Sequence, residues 1–279
     1  MFYLLNYFIQ MKILLNKDDL NEALQNVSNL GFVPTMGSLH KGHISLIKRS
    51  LKECSKTLVS IFVNPTQFNN KLDFKKYPRD NKKDLSILKK QRADFVFMPN
   101  IKEIYGLKKT SKVKFSKKNK ILCAKYRKGH FEGVLEVMRR LTNIVKPYKI
   151  FMGEKDFQQF YLIKKYFRKR NTKVISCRTI REKNKLAISS RNKLLSKKDL
   201  LKAGKIARNL ISFKKNLSSK KNKKNLIDKK TKELKRLFKI KIEYLELRKK
   251  TNLKLSINTK DSKLFIAYHL KKVRLIDNF

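Results

Sequence analysis

Five short, almost wholly apolar runs alternate with segments of helical periodicity. That alternation constrains the fold of this 279-residue chain more than any other feature. Leu30–Val33 is closed by Pro34 and Gly37, Thr57–Val63 by Asn64-Pro65, Asp94–Met98 by Pro99, and Lys149–Met152 by Gly153-Glu154-Lys155-Asp156; Lys173–Cys177 is the fifth run. Between them, Ile44, Leu46, Ile47 and Leu51 fall at helical spacing, Asp80–Lys90 reads as a helix, His130–Val145 as a long amphipathic one, and a further helix runs to Phe167. Buried strands taking turns with helices predict an α/β fold built on a doubly wound, Rossmann-like parallel sheet. Such sheets bind ligands at the carboxyl ends of their strands. The last third differs. After residue 199 there is one glycine, Gly204, and no proline; lysine-rich helices over 197–238 precede strand-like runs at Lys241–Leu247, Leu253–Ile257 and Lys263–Ala267. A second, smaller α/β C-terminal domain is expected. The resulting division is a possible N-terminal extension (1–10), a Rossmann-like domain (11–182) and the smaller domain (183–279).

The formal net charge of +50 invites a nucleic-acid reading. Its make-up argues against one: 56 of the basic residues are lysine and only 15 arginine, spread through the chain and densest between Lys214 and Lys241. Specific readers of nucleic acid lean on arginine forks and aromatic platforms. The pattern is that of compositional drift on a solvated surface, and no specific nucleic-acid partner is expected. Cys54, Cys123 and Cys177 are far apart and form no CxxC pair, which suits a reduced, cytoplasmic setting. The apolar start, FYLLNYFI, is far short of the roughly 20 residues that span a bilayer and lacks signal-peptide flanks, so no membrane role is expected; Met11 offers a second start.

In a chain poor in glycine, proline and histidine, the few that remain mark where special geometry is needed. Six of the eight glycines and three of the four histidines lie in or beside three blocks, 31–43, 129–133 and 153–159. His40 and His43, three apart where a turn enters a helix, put both rings on one side of the first turn. Gly42 between them leaves room for a ligand to approach. N–H groups at the helix start favour phosphate, and imidazolium rings neutralise charge developing on a transferring phosphoryl group. On spacing alone, a zinc pair or two surface histidines remain alternatives. Asn64–Phe68 is either an amide-bearing substrate turn or an ordinary Asn-Pro turn. Lys155 offers a point charge to phosphate, Asp156 a helix cap, and Gln158 and Gln159 lie in the turn that follows. The loop Ser189-Ser190-Arg191-Asn192 brings one guanidinium.

Together PTMGSLHKGH (34–43), SIFVNPTQF (60–68), YPRD (77–80), GHFEGV (129–134), GEKDFQQF (153–160), AISSRN (187–192) and RLIDN (274–278) resemble the pantothenate synthetase family, within the HxGH nucleotidyltransferase superfamily. The resemblance spans nearly the whole chain from Met11 to Phe279. It implies ATP-dependent ligation of pantoate to β-alanine through a pantoyl adenylate, with Mg2+ accompanying ATP, in a cytoplasmic homodimer. By that resemblance Met36, Gly37, Ser38, Leu39, His40, Lys41, Gly42 and His43 hold ATP, together with Gly153, Glu154, Lys155, Asp156, Ile180, Ile188, Ser189, Ser190 and Arg191. It also makes His43 the proton donor, puts His40 and Lys155 with it in catalysis, and brings Gln67 and Gln159 to pantoate. Gln67 is near β-alanine as well, and Asp84 is a candidate to lie near Mg2+. Where the family often has Arg-Pro-Gly-His-Phe, this chain has Lys128 in place of the proline, which loosens a turn and removes no reactive group.

Overall fold

The computed structural model describes residues 10–68, 74, 75, 77–106, 113, 115–217 and 219–279. All of the expected 1–10 extension except Gln10 lies outside them. Two units can be distinguished. The first comprises Met1–Lys114, Glu132–Met152 and Leu162–Cys177; the second comprises Phe115–Phe131, Gly153–Tyr161 and Arg178–Phe279.

The first unit is built on a six-stranded sheet. Its strands are β1 (Lys12–Leu14), β2 (Leu30–Thr35), β3 (Lys56–Ile61), β4 (Phe95–Phe97), β5 (Lys149–Gly153) and β6 (Lys173–Cys177), in the order β1-β4-β3-β2-β5-β6. β1–β4, β4–β3, β3–β2 and β2–β5 pair in parallel. The helices between strands are α1 (Lys17–Leu24), α2 (Lys41–Glu53), α3 (Asn81–Lys90), the short α4 (Ile101–Tyr105) and α6 (His130–Val145). Each of the five apolar runs read as a strand in this part of the chain is one. β2–β5 are buried nearly throughout, as parallel strands covered on both faces are, while the edge strand β6 is buried only at Val174 and Cys177. Phe32, Val33, Leu58, Val59, Val96, Phe97, Ile150 and Phe151 are fully buried. Burial of each such side chain contributes about 1.5–3 kcal/mol. The order of winding reverses between β2 and β5, so the carboxyl end of β2 stands at the topological switch point.

The second unit carries an antiparallel sheet, β7 (Lys241–Lys249), β8 (Ser262–Leu270) and β9 (Val273–Asn278), with the one-turn helix α5 (Cys123–Tyr126) and helices α8 (Lys197–Leu217) and α9 (Lys223–Phe238). Its core gathers Ile206, Leu210 and Leu234 from the helices with Leu264 and Ile266 from the middle strand. Leu253–Ile257 is not a strand. Leu255 and Ile257 point to solvent, and a single bridge from Leu255 to Arg248 is all the pairing there is. The alternation there misleads because only Leu253 of its three apolar residues is buried. β9, in contrast, was not foreseen as a strand, since charged Arg274 and Asp277 interrupt its pattern.

Both charges are paired within the unit. Arg274 forks Glu243, with Nε donating at 3.0 Å and Nη2 at 2.7 Å, and His269 lies 2.8 Å from the same carboxylate. Burial pushes the Glu243 carboxyl up, but the bonds from Arg274 and His269 outweigh it and hold the group below its ordinary value of 4.5. A carboxylate held low stabilises the fold above its unfolded value, and that contribution is lost as pH falls through the folded one. Glu243→Gln should therefore cost up to about 3–5 kcal/mol at pH 7, by stranding Arg274, and progressively less as pH falls below 4.5 and through the folded value. Thermal melts of both proteins across that range will show the gap closing on the acid side; a gap independent of pH would contradict the pairing.

Candidate functional site

In the first unit, the turn between β2 and α2 is held from inside by one carboxylate. Gly37 and Ser38 both take positive φ, 74° and 54°, which peels the chain off the strand. The two N–H groups that follow point inward, and Asp84 of α3 receives them. Ser38 N–H donates to Oδ2 and Leu39 N–H to Oδ1, both at 2.7 Å. Thr35 Oγ1 accepts from Gly37 N–H at 3.1 Å and donates to the Ser60 carbonyl at 2.7 Å, tying the turn to β3. Asp84 is 1% exposed. A buried carboxylate is tolerated only where charge-assisted bonds replace its water, and the two backbone donors do that. A Cβ on Gly37 would lie 2.9 Å from Asp84 Oδ2, so a larger residue fails there on space as well as on φ.

His40 caps α2. Its Nδ1 accepts from Gly42 N–H at 3.1 Å, and its ring stacks on His43 with centroids 4.0 Å apart and planes 19° apart. An accepting Nδ1 bears no proton, so the proton of the neutral ring sits on Nε2. The space beside Gly42, read from sequence as an approach for ligand, is taken by His40 itself: a Cβ there would be 2.8 Å from its Cε1. Gly42 is small so that the capping imidazole can fold over it. Among the described residues no group of three or more His, Cys, Asp or Glu side chains could hold a metal ion, so a zinc pair at His40 and His43 has no third ligand.

The turn after β3 resolves into an amide network. Asn64 Nδ2 donates to Gln67 Oε1 at 3.1 Å and to the Gly133 carbonyl at 3.2 Å, while its Oδ1 accepts from Thr66 N–H, the Thr66 hydroxyl and, at 2.6 Å, the Tyr105 hydroxyl. Gln67 Nε2 reaches Met36 Sδ at 2.8 Å. Asn64 is thus consumed internally and orients Gln67, which lies against the β2 turn. The network depends on Gly133 of α6: a Cβ there would come within 2.4 Å of the Thr66 carbonyl oxygen, a backbone atom that cannot step aside. Arg140, one helix face along, donates to the Ile104 and Tyr105 carbonyls and lies over the Tyr105 ring. A cavity of about 540 Å3 starts at Met36 and Gly37; Ile61, Phe62 and Met98 give it apolar walls, and Arg79 and Lys102 supply cations.

In the second unit, Glu154–Asp156 forms one turn of 3-10 helix ahead of α7 (Phe157–Tyr166). Lys155 lies 3.5 Å from Asp156, and Glu154 pairs with Lys263 at 3.2 Å. Gln158 is clasped to the preceding loop, accepting from Cys123 N–H and donating to the Ile121 carbonyl. Gln159, half-buried, makes no hydrogen bond among the described residues. Ile188 N–H donates to the Ile180 carbonyl at 3.0 Å, joining two positions that the sequence placed together at the nucleotide. Ser189 caps the turn that carries Ser190 and Arg191.

Missed by the sequence reading were Thr35, Asn64 as hub, Tyr105, Gly133 as spacer, and Asn278, whose carboxamide donates to the Glu154 and Lys155 carbonyls at 2.8 and 2.9 Å. Gly133 and Asn278 sat inside recognised motifs, and that was their only signal.

A parallel sheet with a carboxylate-pinned turn at its switch point, opening a helix capped by stacked histidines, defines an α/β enzyme of the nucleotide-binding class. The family model for pantoate-beta-alanine ligase matches residues 12–279. A pantothenate synthetase from Pseudothermotoga lettingae is 39% identical, covering 96% of this chain and 98% of its own, and one from Azobacteroides pseudotrichonymphae is 40% identical over 96% and 99%. The crystal structure of pantothenate synthetase from Thermus thermophilus superposes with a TM-score of 0.89 at 30% identity, covering 96% and 99% of the two chains. That of the Francisella tularensis pantoate-beta-alanine ligase, complexed with beta-gamma ATP and β-alanine, superposes with 0.82 at 37% identity over 97% of each chain. The chain belongs to the pantoate–β-alanine ligase family.

Asp84→Asn turns an acceptor into a donor facing a backbone N–H. Urea unfolding should register a loss of about 1–3 kcal/mol, with weaker nucleotide binding as the turn relaxes. A change below about 0.5 kcal/mol together with unaltered binding would remove Asp84 from the role described.

Proposed function

We propose that the chain condenses pantoate with β-alanine at the expense of ATP, releasing AMP and pyrophosphate. The reading rests on the pinned turn at the head of α2, standing where a doubly wound sheet binds its ligand, in a chain of this family. A carboxylate is a poor acyl donor until it carries a leaving group. In the first step a pantoate carboxylate oxygen attacks the α-phosphorus of ATP, the bond to the bridging oxygen breaks, and pyrophosphate departs, leaving pantoyl adenylate. In the second the β-alanine amine adds to the acyl carbon, AMP leaves with the C–O bond electrons, and the amine proton is lost. No protein nucleophile is required; positioning and charge stabilisation carry the rate.

Met36–His43 would receive the phosphates, at the start of α2 and on His40 and His43. With His40 Nδ1 engaged by Gly42, it is Nε2–H that His40 can offer. His43 takes the proton-donor role. Lys155 and Arg191 would place positive charge on phosphate oxygens, with Gly153–Asp156, Ile180 and Ile188–Arg191 around the nucleotide. Gln67, already held by Asn64 and resting on Met36, and Gln159, whose amide is uncommitted, would bind pantoate, Gln67 also facing β-alanine. The cavity beginning at Met36 mixes apolar walls with cations, as a small branched hydroxy acid needs.

Mg2+ is assigned to the ATP phosphates, where it commonly keeps most of its water and few protein ligands. The residues at hand do not form a dedicated cage for it: both Asp84 oxygens accept short backbone bonds, which favours a role in shaping the turn over one as ion ligand. No described helix is long and apolar enough to cross a membrane. The resemblance supports a cytoplasmic homodimer.

Turnover should yield AMP and pyrophosphate only when pantoate, β-alanine and MgATP are all present. Pantoate alone should support exchange of labelled pyrophosphate into ATP. Release of ADP, or rates indifferent to pantoate, would overturn the assignment. His43→Ala and Lys155→Ala should each lose roughly 100- to 1,000-fold in kcat while melting near the parent; near-normal turnover in both would refute the roles given to them.

A further inference from the structure

We propose that Asn278 is a positioning residue for the phosphate-binding turn that carries Lys155. This rests on the reading of Lys155 given above. Asn278 ends β9, opposite Phe265 of β8, and is 3% exposed. Both hydrogens of its carboxamide go to successive main-chain carbonyls of one turn, Glu154 O at 2.8 Å and Lys155 O at 2.9 Å. Two bonds from one rigid planar group fix the height and the tilt of that turn, where a single bond would let it swivel.

Asn278 is in turn immobilised on its own side. Its N–H donates to Asp277 Oδ1 at 2.7 Å, and its carbonyl accepts from Arg181 Nη2 at 3.0 Å. Arg181 also forks the Asp277 carboxylate at 2.7 and 2.8 Å and lies over the Phe279 ring. The chain of contacts runs from a bidentate ion pair, through one clamped residue, to the backbone on either side of the Lys155 side chain.

A second observation separates positioning from mere core-filling. Asn278 Oδ1 is buried and has no hydrogen-bond partner among the described residues. A carboxamide that leaves its oxygen unsatisfied is a poor stabiliser of a core, and an apolar residue of similar size would avoid that cost. What Asn278 supplies that such a residue cannot is the pair of donors on the 154–155 carbonyls. Lysine is a point charge on a flexible stem, so its aim is set by its backbone. A turn held to a few tenths of an ångström matters because misplacement of about 1 Å costs on the order of 100-fold in rate.

The test is a double-mutant cycle on the full-length protein, read by single-turnover formation of AMP. Asn278→Asp keeps the size and sets a carboxylate against the two carbonyls; Asn278→Ser keeps one donor and serves if the first fails to fold, folding being checked by near-UV circular dichroism. Each should lower the single-turnover rate, roughly ten- to a hundredfold for Asp and less for Ser, with the KM for pantoate within about threefold. On a Lys155→Ala background the same substitutions should change the residual rate less than about threefold, because the group they aim is gone. If Lys155→Ala is impaired but Asn278 substitutions slow both backgrounds equally, Asn278 is structural and the inference falls alone. If Lys155→Ala turns over normally, the reading of Lys155 falls and this inference with it.

Discussion

The carboxylate of Asp84 is the point on which the first unit's candidate site depends. A chain leaving a strand to start a helix turns sharply, and here the turn is made by two consecutive positive-φ residues, Gly37 and Ser38. Left alone, such a turn would present N–H groups to a dry interior. Asp84 answers two of them at 2.7 Å each. Asp84 also lines the cavity that begins at Met36 and Gly37, together with Arg79 and Lys102, so the group that fixes the loop also adds a carboxylate to that cavity's wall.

The two units share a logic: side chains that bear chemistry are held by side chains that do not. Gln67 is oriented by Asn64, which is oriented by Tyr105, over which Arg140 packs. The Lys155 turn is held by Asn278, which is held by Asp277 and Arg181. The holding groups are an amide and a phenol in the first case, and an amide and a forked ion pair in the second, whose directionality fixes angles as well as distances.

Much of this was legible in sequence. Apolar runs closed by proline or glycine marked the ends of β2, β3, β4 and β5, and Pro34–His43 stood out through residue types that are rare elsewhere in the chain. What was illegible depends on separation. Asp84 meets Ser38 across 46 residues, and Asn278 meets Lys155 across 123. No local pattern encodes such a meeting; only the sheet order and the return of β9 create it. Local pattern also misled where packing did not follow: Leu253–Ile257 alternates like a strand yet leaves Leu255 and Ile257 in solvent, and the room beside Gly42 belongs to His40. Lys12–Leu14 was missed for the opposite reason, being three residues long with two of them exposed.

The second unit is assembled from three separate stretches of chain, Phe115–Phe131, Gly153–Tyr161 and Arg178–Phe279. Gln158 clasps the Ile121 carbonyl and Cys123 N–H, Tyr126 donates to the Glu243 carbonyl, and Asn278 bonds the 154–155 turn. A recombinant fragment starting near residue 183 would therefore keep the three antiparallel strands but lose Tyr126 and the Glu154 and Lys155 carbonyls that Asn278 bonds. Domain dissection, the usual way to study such a unit in isolation, would here require a circularly rewired gene that splices the two inner segments back onto the C-terminal one.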